Sequence, residues 1–146
     1  MPKPSVIVIF CEDIRSEIDG KKSFIGCFTS SSISVSKDKP FQLPKVIVNA
    51  FVQWDGFSPP DGWQLRVETP TGESGEPFPL PPASDMKIDP ETGNVTIAFQ
   101  ATIAPFIVSS SGNLSVFLEK NNGEECHCIA ALKFSEIPSP KKRKSS

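Results

Sequence analysis

Residues 5–28 have the sequence SVIVIFCEDIRSEIDGKKSFIGCF, and this stretch decides the fold class. Two β-prone runs, 6–11 and 23–28, flank the dipeptide Asp19-Gly20. Asp-Gly between such runs is a strong signal for a two-residue β-turn, because both central positions of that turn need positive φ. We therefore expect a β-hairpin centred on Asp19-Gly20, within a β-protein.

The strand pairing that follows from a two-residue turn sets Glu17 opposite Lys22 and Arg15 opposite Phe24. A Glu17–Lys22 ion pair across the strands would contribute about 0.2–1 kcal/mol. Alternation along the first strand places Asp13, Arg15 and Glu17 on one side. These charges predict a solvated, salt-bridged hairpin. The alternative is a polar recognition patch in which the planar guanidinium of Arg15 grips a carboxylate or phosphate.

The composition favours a single folded domain. The chain has 146 residues, of which 38% are hydrophobic and 22% charged, close to the averages of globular proteins. A chain of this length buries enough apolar surface to fold without disulfides or metals. Its 15 Pro residues favour short strands and stiff connections over helices, since Pro lacks a backbone donor. We predict one domain over residues 1–137 and a disordered basic tail over 138–146.

The charge distribution limits the partners. The formal net charge is −2, and four of the cations lie in the tail run Lys141-Lys142-Arg143-Lys144, so the rest of the chain carries −6. An acidic body is a poor ligand for phosphates, and we predict no nucleic-acid binding by the folded body. The tail resembles a short nuclear localisation signal, a kind of run that often occurs by chance.

The N-terminal region predicts a cytoplasmic protein. The stretch MPKPSVIVIFC contains six consecutive apolar residues, too few for a signal-peptide core or a membrane span. No small-residue cleavage site follows them. In a reducing cytoplasm the four cysteines are expected to be free thiols.

Alternating apolar residues along the rest of the chain predict further strands. The run from Val46 to Trp54 has apolar residues at every second position, and comparable runs follow it. Turn-forming sequences at 89–94 and 121–123 separate the runs. The pattern predicts an all-β fold, an antiparallel two-sheet sandwich of immunoglobulin-like type, with a barrel as the alternative. We expect about eight strands, at 5–14, 22–29, 45–54, 63–69, 84–89, 94–104, 113–119 and 125–134, and a short edge strand at 33–35.

The triplet Cys126-His127-Cys128 is the pattern most typical of metal ligands. In a strand its two thiols would share one face and the imidazole would lie on the other, so the three cannot meet at one ion without a bulge. The other two cysteines are distant in sequence and add no CxxC pair. The thiols are in phase with Ala130 and Leu132, which predicts buried core cysteines rather than a metal site.

Catalytic and cofactor motifs are missing from the sequence. His127 is the only histidine, and no GxSxG nucleophile motif is present. No glycine-rich phosphate loop is present either. Asp13 and Glu17 are paired acids, but no nucleophile or metal cluster accompanies them in sequence. We therefore expect neither an enzyme nor a bound cofactor.

Segment 54–63, WDGFSPPDGW, is predicted to be an aromatic loop between two strands. Trp54 and Trp63 are in phase with inward residues, and we expect both to cap the core. Phe57 is the better candidate for a contact residue, because exposed aromatics stiffened by proline form sugar-stacking or protein-docking surfaces. The proline-rich run 78–82 lacks the basic flank of a polyproline ligand, and we expect it to cover a sheet edge.

The block CEDIRSEIDGKKSFIGCF resembles the N-terminal block of a bacterial protein family of unknown function. Members of that family open with a short apolar strand, an acidic-Asp-Ile-Arg segment, a Glu, then Gly-Lys and an Ile-Gly strand. The resemblance covers residues 5–50 and implies a small bacterial cytosolic protein, without implying a mechanism. The matching positions are Phe10, Cys11, Glu12, Asp13, Ile14, Arg15, Glu17, Gly20, Lys21, Ser23, Ile25 and Gly26, followed by the similar Leu43-Pro44-Lys45.

These observations predict a cytoplasmic, non-catalytic binding or accessory module. We expect a protein partner, bound through Asp13, Arg15, Glu17 and Lys22 of the hairpin or through Phe57. The alternative is a module that binds a small ligand or carbohydrate through the aromatic loop. An enzyme is a distant third.

Overall fold

A computed structural model describes residues 3–36, 38–57, 62–80, 88–120 and 124–137 of the chain. Within these ranges the chain forms β-strands, one 3₁₀ turn at Ile18–Gly20 and no α-helix. None of the described segments is a helix long and apolar enough to cross a membrane. The described strands are β1 (Ser5–Cys11), β2 (Asp13–Ser16), β3 (Lys22–Ile25), β4 (Ser32–Ser36), β5 (Phe41–Leu43), β6 (Val46–Asp55), β7 (Trp63–Glu68), β8 (Phe78–Pro79), β9 (Asn94–Ile103), β10 (Phe106–Val108), β11 (Gly112–Lys120) and β12 (Cys126–Ile137).

Two larger sheets contain most of the strands. One is antiparallel, in the order β1-β6-β9, so that β6 is central. The other has the order β4-β12-β11-β7-β8, in which β4 runs parallel to β12 and the other neighbours are antiparallel. Two short antiparallel pairs, β5-β10 and β2-β3, complete the described sheets.

Side chains from both larger sheets form one apolar core. On β6 alternate residues point into it, as their period-two pattern predicts, and β7 and β11 contribute in the same way. Each fully buried Val or Leu stabilises the fold by about 1.5–3 kcal/mol relative to an exposed position. The buried members are Phe10, Val35, Val46, Val48, Ala50, Val52, Trp54, Trp63, Leu65, Val67, Val95, Phe106, Val108, Leu114, Val116, Leu118, Leu132 and Phe134.

The all-β class and the antiparallel pairing are confirmed, whereas the number of strands differs. The described residues form twelve strands in four sheets, compared with the eight or so predicted in two. The predicted strand 5–14 is divided at Glu12, which lies between β1 and β2. The strands β5, β8 and β10 have only two or three residues, too few to show a periodic pattern. Most of the predicted strand 84–89, and the whole tail 138–146, lie outside the described residues.

A β-bulge in β12 reverses the predicted orientation of the cysteines. The ladder between β11 and β12 shifts register so that Ile129 is an extra, unpaired residue. After the bulge, Leu132 and Phe134 point into the core. Before it, the phase of the alternation is inverted, because one extra residue moves every side chain to the opposite face. Cys126 and Cys128 are therefore exposed, and the prediction of buried core cysteines was wrong.

The β2-β3 hairpin lies over the outer face of the three-stranded sheet. Phe24 of the hairpin contacts Phe51 of β6 edge to face, with ring centroids 5.9 Å apart. On the same outer face Cys11, Ile47 and Asn49 are buried, although alternation points them away from the core. The central strand β6 is consequently covered on both faces near its N-terminal end.

Candidate binding site

The hairpin turn has the predicted backbone conformation but one more residue than predicted. Asp19 and Gly20 both have positive φ, 78° and 74°. The Glu17 N–H donates to the Lys21 carbonyl at 2.7 Å, which closes a three-residue loop. The extra residue shifts the register, so that Arg15 lies opposite Ser23.

The predicted cross-strand pairs were therefore wrong. Lys22 lies opposite Ser16 rather than opposite Glu17, and Phe24 lies opposite Ile14. Lys22 is exposed and falls on the other side of the hairpin from Arg15, because the two belong to adjacent pairs.

The two acidic residues of the predicted patch have partners within the chain. Asp13 forms an ion pair with Lys45, with Nζ 2.9 Å from Oδ1. The pKa of Asp13 is lowered by the Lys45 hydrogen bond, by a backbone hydrogen bond from Ile14, and by the charges of Lys45 and Arg15. Glu17 Oε1 accepts a hydrogen bond from the Ser23 hydroxyl at 2.9 Å.

Arg15 differs from its acidic neighbours. It is exposed, and within the described ranges its guanidinium makes no hydrogen bond or ion pair. Its charge also helps to lower the pKa of Asp13, though less than Lys45 and the backbone hydrogen bond do. The planar donor array of Arg15 is accordingly available to a carboxylate or phosphate from outside the chain.

Ile18 is the most exposed large apolar side chain of the described residues, at 89%. It precedes Asp19 and Gly20, whose positive φ values hold the turn. Sequence reasoning missed this residue, because it assigned the turn itself to Asp19-Gly20 and gave Ile18 no separate role. The signal was an apolar residue directly before a tight turn, where solvent exposure is the rule.

Phe57 is exposed as predicted, at 81%. Its backbone N–H donates to Asp55 Oδ1 at 2.9 Å, and the Gly56 N–H donates to the Gly93 carbonyl at 2.8 Å. A Cβ atom at Gly56 would lie 2.8 Å from the side chain of Ile88, which is itself 41% exposed. Phe57 and Ile88 thus form a small apolar patch at the end of the β6-β9 pair.

The two tryptophans of the predicted aromatic loop do not belong to this patch. Trp54 and Trp63 are 5% and 2% exposed, so both belong to the core as predicted. Residues 58–61 of the loop lie outside the described residues. Of the aromatic side chains named for this loop, Phe57 alone is accessible to a ligand.

A charged cluster on the five-stranded sheet was not predicted. Arg66 Nε donates to Glu119 Oε1 at 3.1 Å, and Arg66 NH1 donates to Glu68 Oε2 at 3.0 Å. The guanidinium also lies 4.3 Å from the ring centroid of Phe117. Gln64 donates to the same Glu119 oxygen at 2.9 Å. Since these groups satisfy one another, the cluster supports the sheet.

The chemistry of the triplet 126–128 is divided between two faces. The ring of His127 stacks on Trp63 at 6.0 Å between centroids, and its Nε2 lies 3.2 Å from Glu125 Oε2. The thiols of Cys126 and Cys128 are exposed. Among the described residues no group of three or more His, Cys, Asp or Glu side chains is placed to hold a metal ion.

No protein-family model matches the chain, and no curated protein matches it in sequence. The resemblance noted for residues 5–50 stays a prediction.

Proposed function

We propose that the chain is a non-catalytic binding or accessory module that engages a protein partner through the hairpin 13–25. In this proposal an immunoglobulin-like two-sheet sandwich is the scaffold. The core shared by both larger sheets supports that architecture. Loops and hairpins carried on a rigid β scaffold commonly supply binding residues.

The observation that carries the proposal is the contrast between Arg15 and its acidic neighbours. The side chain of Asp13 forms an ion pair with Lys45, and that of Glu17 accepts a hydrogen bond from Ser23. The guanidinium of Arg15 has no such side-chain partner among the described residues. If the charged residues served only to stabilise the hairpin, the guanidinium of Arg15, which has the most hydrogen-bond donors, would be expected to bond within the chain. Its availability supports a role in binding.

Ile18 supplies the apolar part of the proposed surface. Arg and large apolar side chains at the centre of an interface carry much of its binding energy, and surrounding residues exclude water. Arg15 and Ile18 stand three residues apart on the exposed end of one hairpin. A partner suited to both presents a carboxylate next to an apolar pocket.

The test is affinity capture by the full chain from a lysate of the source organism, with bound proteins quantified by mass spectrometry. We expect one protein to be enriched by the wild type and lost with an Arg15→Ala/Ile18→Ser double variant. The matched control is Lys133→Ala, which removes an exposed cation of β12. Far-ultraviolet circular dichroism of each variant establishes that the fold is retained.

Two results would contradict the proposal. One is the absence of any protein enriched by the wild type. The other is equal capture by the wild type and the double variant, which would show that the hairpin is not the binding surface. Binding that is lost equally in Lys133→Ala would indicate general charge attraction rather than the hairpin surface.

The second candidate is a small-ligand or carbohydrate site at Phe57. The exposed ring beside Ile88 favours it, since aromatic faces stack on sugars. A thermal-shift screen against glycans and metabolites tests it. The expected result is a stabilising ligand whose effect disappears with Phe57→Ala and persists with Arg15→Ala. If no compound raises the melting temperature, this candidate fails.

The proposal also places the module in the cytoplasm of a bacterium. The resemblance of residues 5–50 to a bacterial family supports the source. The free thiols of Cys27, Cys126 and Cys128, all exposed, support a reducing compartment, where such groups persist.

A further inference from the structure

We propose that two copies of the chain associate through β1, by antiparallel pairing of this edge strand about a two-fold axis at Ile7. The inference is independent of the proposed function, because it uses neither the exposed end of the hairpin nor Phe57. Its basis is that, among the sheet edges of the described residues, the edge formed by β1 is the least protected against pairing with another strand.

The two edges of the five-stranded sheet are protected against further pairing. At one edge, β8 has two residues, and one is Pro79, which has no N–H to donate. At the other edge, the Ser30 hydroxyl bonds both the N–H and the carbonyl of Ser32 in β4. The Ser36 carbonyl accepts from the Lys39 N–H at 3.2 Å. The chain therefore satisfies much of its own exposed backbone there.

Over Ser5–Ile9 the edge formed by β1 has no such protection. Ser5–Cys11 contains no charge and no proline, and its pairing with β6 has no bulge. The Phe28 N–H donates to the Phe10 carbonyl at 2.9 Å, which identifies the side of β1 that faces away from β6. The N–H and C=O groups of Val6 and Val8 face that same side, because these groups alternate along a strand. No described strand pairs with them there.

The apolar side chains of β1 distinguish it from β9, the other edge of the same sheet. Ile7 is 67% exposed in the middle of β1. The exposed face of β9 instead carries small or polar side chains, those of Thr96, Ala98, Gln100 and Thr102. Natural proteins rarely leave a long, uncharged, apolar edge uncovered, since it is a template for pairing with another chain.

The sequence of β1 is complementary to itself about Ile7. An axis through this residue sets Val6 opposite Val8 of the second copy, and each such pair exchanges both N–H···O=C bonds. Ile7 then lies beside Ile7 of the second copy, in the closer, non-hydrogen-bonded type of pair. The most exposed apolar side chain of the strand would thus be buried by its own equivalent.

The open length of β1 fits the same register. The Phe28 N–H bond to the Phe10 carbonyl places Phe28 beside Phe10 on this side, so a second copy can pair only with Ser5–Ile9. The axis at Ile7 meets this limit, because it sets Ser5 opposite Ile9. Five uncharged residues that pair with their own equivalents favour a second copy as the occupant.

The first test is the mass of the full chain in solution, by light scattering and sedimentation over a range of concentrations. We expect the wild type to approach twice its chain mass of 15.9 kDa as concentration rises. Ile7→Lys should remain at the monomer mass, because the two lysine side chains would face each other at the two-fold axis and their charges would repel. The matched control, Ile107→Lys, changes an isoleucine of β10 that is 45% exposed and should dimerise like the wild type.

The second test does not depend on disrupting the strand. In a background with Cys27, Cys126 and Cys128 replaced by Ser, Ile7→Cys should form a disulfide-linked dimer on mild oxidation. Facing residues of a non-hydrogen-bonded pair have Cα atoms about 4.5 Å apart, within the range that a disulfide spans. Ile107→Cys in the same background should form no disulfide-linked dimer. A wild type that is monomeric at every concentration overturns the proposal, as does cross-linking that is equal in the two cysteine variants.

Discussion

Arg66 and Glu119 form an ion pair on the outer side of the five-stranded sheet, and their side chains are only 20% and 14% exposed. Glu119 accepts hydrogen bonds from both Gln64 and Arg66. Glu119→Gln should lower the free energy of unfolding by about 1–2 kcal/mol, because hydrogen bonds to charged groups are among the stronger ones. Urea denaturation measures this. Glu91→Gln, an exposed acid of the 89–94 turn, should change stability by less than about 0.5 kcal/mol.

The same pair should make stability depend on pH. Burial raises the pKa of Glu119, but the hydrogen bonds from Gln64 and Arg66 and the charge of Arg66 outweigh it, so the folded-state pKa lies below the ordinary 4.5. A lowered pKa contributes stability that is present above the ordinary value and lost as pH falls through the folded-state value. The difference in unfolding free energy between the wild type and Glu119→Gln should therefore shrink below pH 4.5. A difference that stays constant down to the acid transition would contradict this assignment.

Cys126 provides a chemical readout of the same cluster. Burial raises the pKa of this thiol, and the hydrogen bond and charge of Glu119 raise it further. Because the thiolate is the reactive form, iodoacetamide should alkylate Cys126 more slowly than Cys27 near pH 8. Glu119→Gln should accelerate the reaction at Cys126 and leave Cys27 unchanged. Peptide mapping by mass spectrometry follows each thiol, and equal rates at Cys126 in both proteins would refute the effect of Glu119.

Among the strands, β11 begins at a position where only glycine fits. A Cβ atom on Gly112 would overlap the Pro70 carbonyl oxygen, which belongs to the backbone and cannot move aside without shifting the 69–72 turn. Gly112→Ala should cost about 2–3 kcal/mol of unfolding free energy, the scale of an overpacked site. Gly75→Ala is the matched control, because its Cβ would meet nothing closer than 3.9 Å. Thermal unfolding of the two variants separates the outcomes, and equal melting temperatures would disprove the close approach.

The longer strands could be predicted from the sequence, because their burial alternates without interruption. The predicted ranges for β6, β7 and β9 end within one residue of the observed bounds. The hairpin and β12 show where alternation fails. One additional residue in the turn before Lys21 changed every cross-strand pair, and Ile129 inverted the faces of two cysteines. Neither extra residue changes the amino-acid composition of its segment or the alternation of apolar residues over a longer stretch. Neither could therefore be predicted from the sequence pattern.

At the scale of the whole molecule, the charge is unevenly distributed: residues 141–144 carry four positive charges, whereas the rest of the chain has a net charge of −6. A chain truncated after Ile137 should flow through a heparin column, whereas the full chain should be retained weakly and elute at low salt. Replacement of the four cations by Ser in the full chain should reproduce the truncation. Retention of the truncated chain would show that the folded body has a cationic surface of its own.

The partners of the candidate residues depend on contacts between distant parts of the chain, which is why they could not be predicted from the sequence. Asp13 binds Lys45, and Phe24 packs on Phe51. Such pairs are set by the packing of the hairpin on the sheet, and no local pattern encodes that placement. Ile18 became a candidate only when its exposure was known.

The reactivity of one buried thiol reports how firmly the hairpin is attached to the three-stranded sheet. Cys11 is fully buried on the face that the hairpin covers, and burial raises the pKa of its thiol. Lifting the hairpin would expose this thiol and restore its reactivity, so the labelling rate of Cys11 measures how often the hairpin detaches. With the other three cysteines replaced by Ser, a partner that clamps the hairpin should slow this labelling. One that pulls it away should accelerate the reaction, and a rate unaffected by the bound partner would place that partner elsewhere.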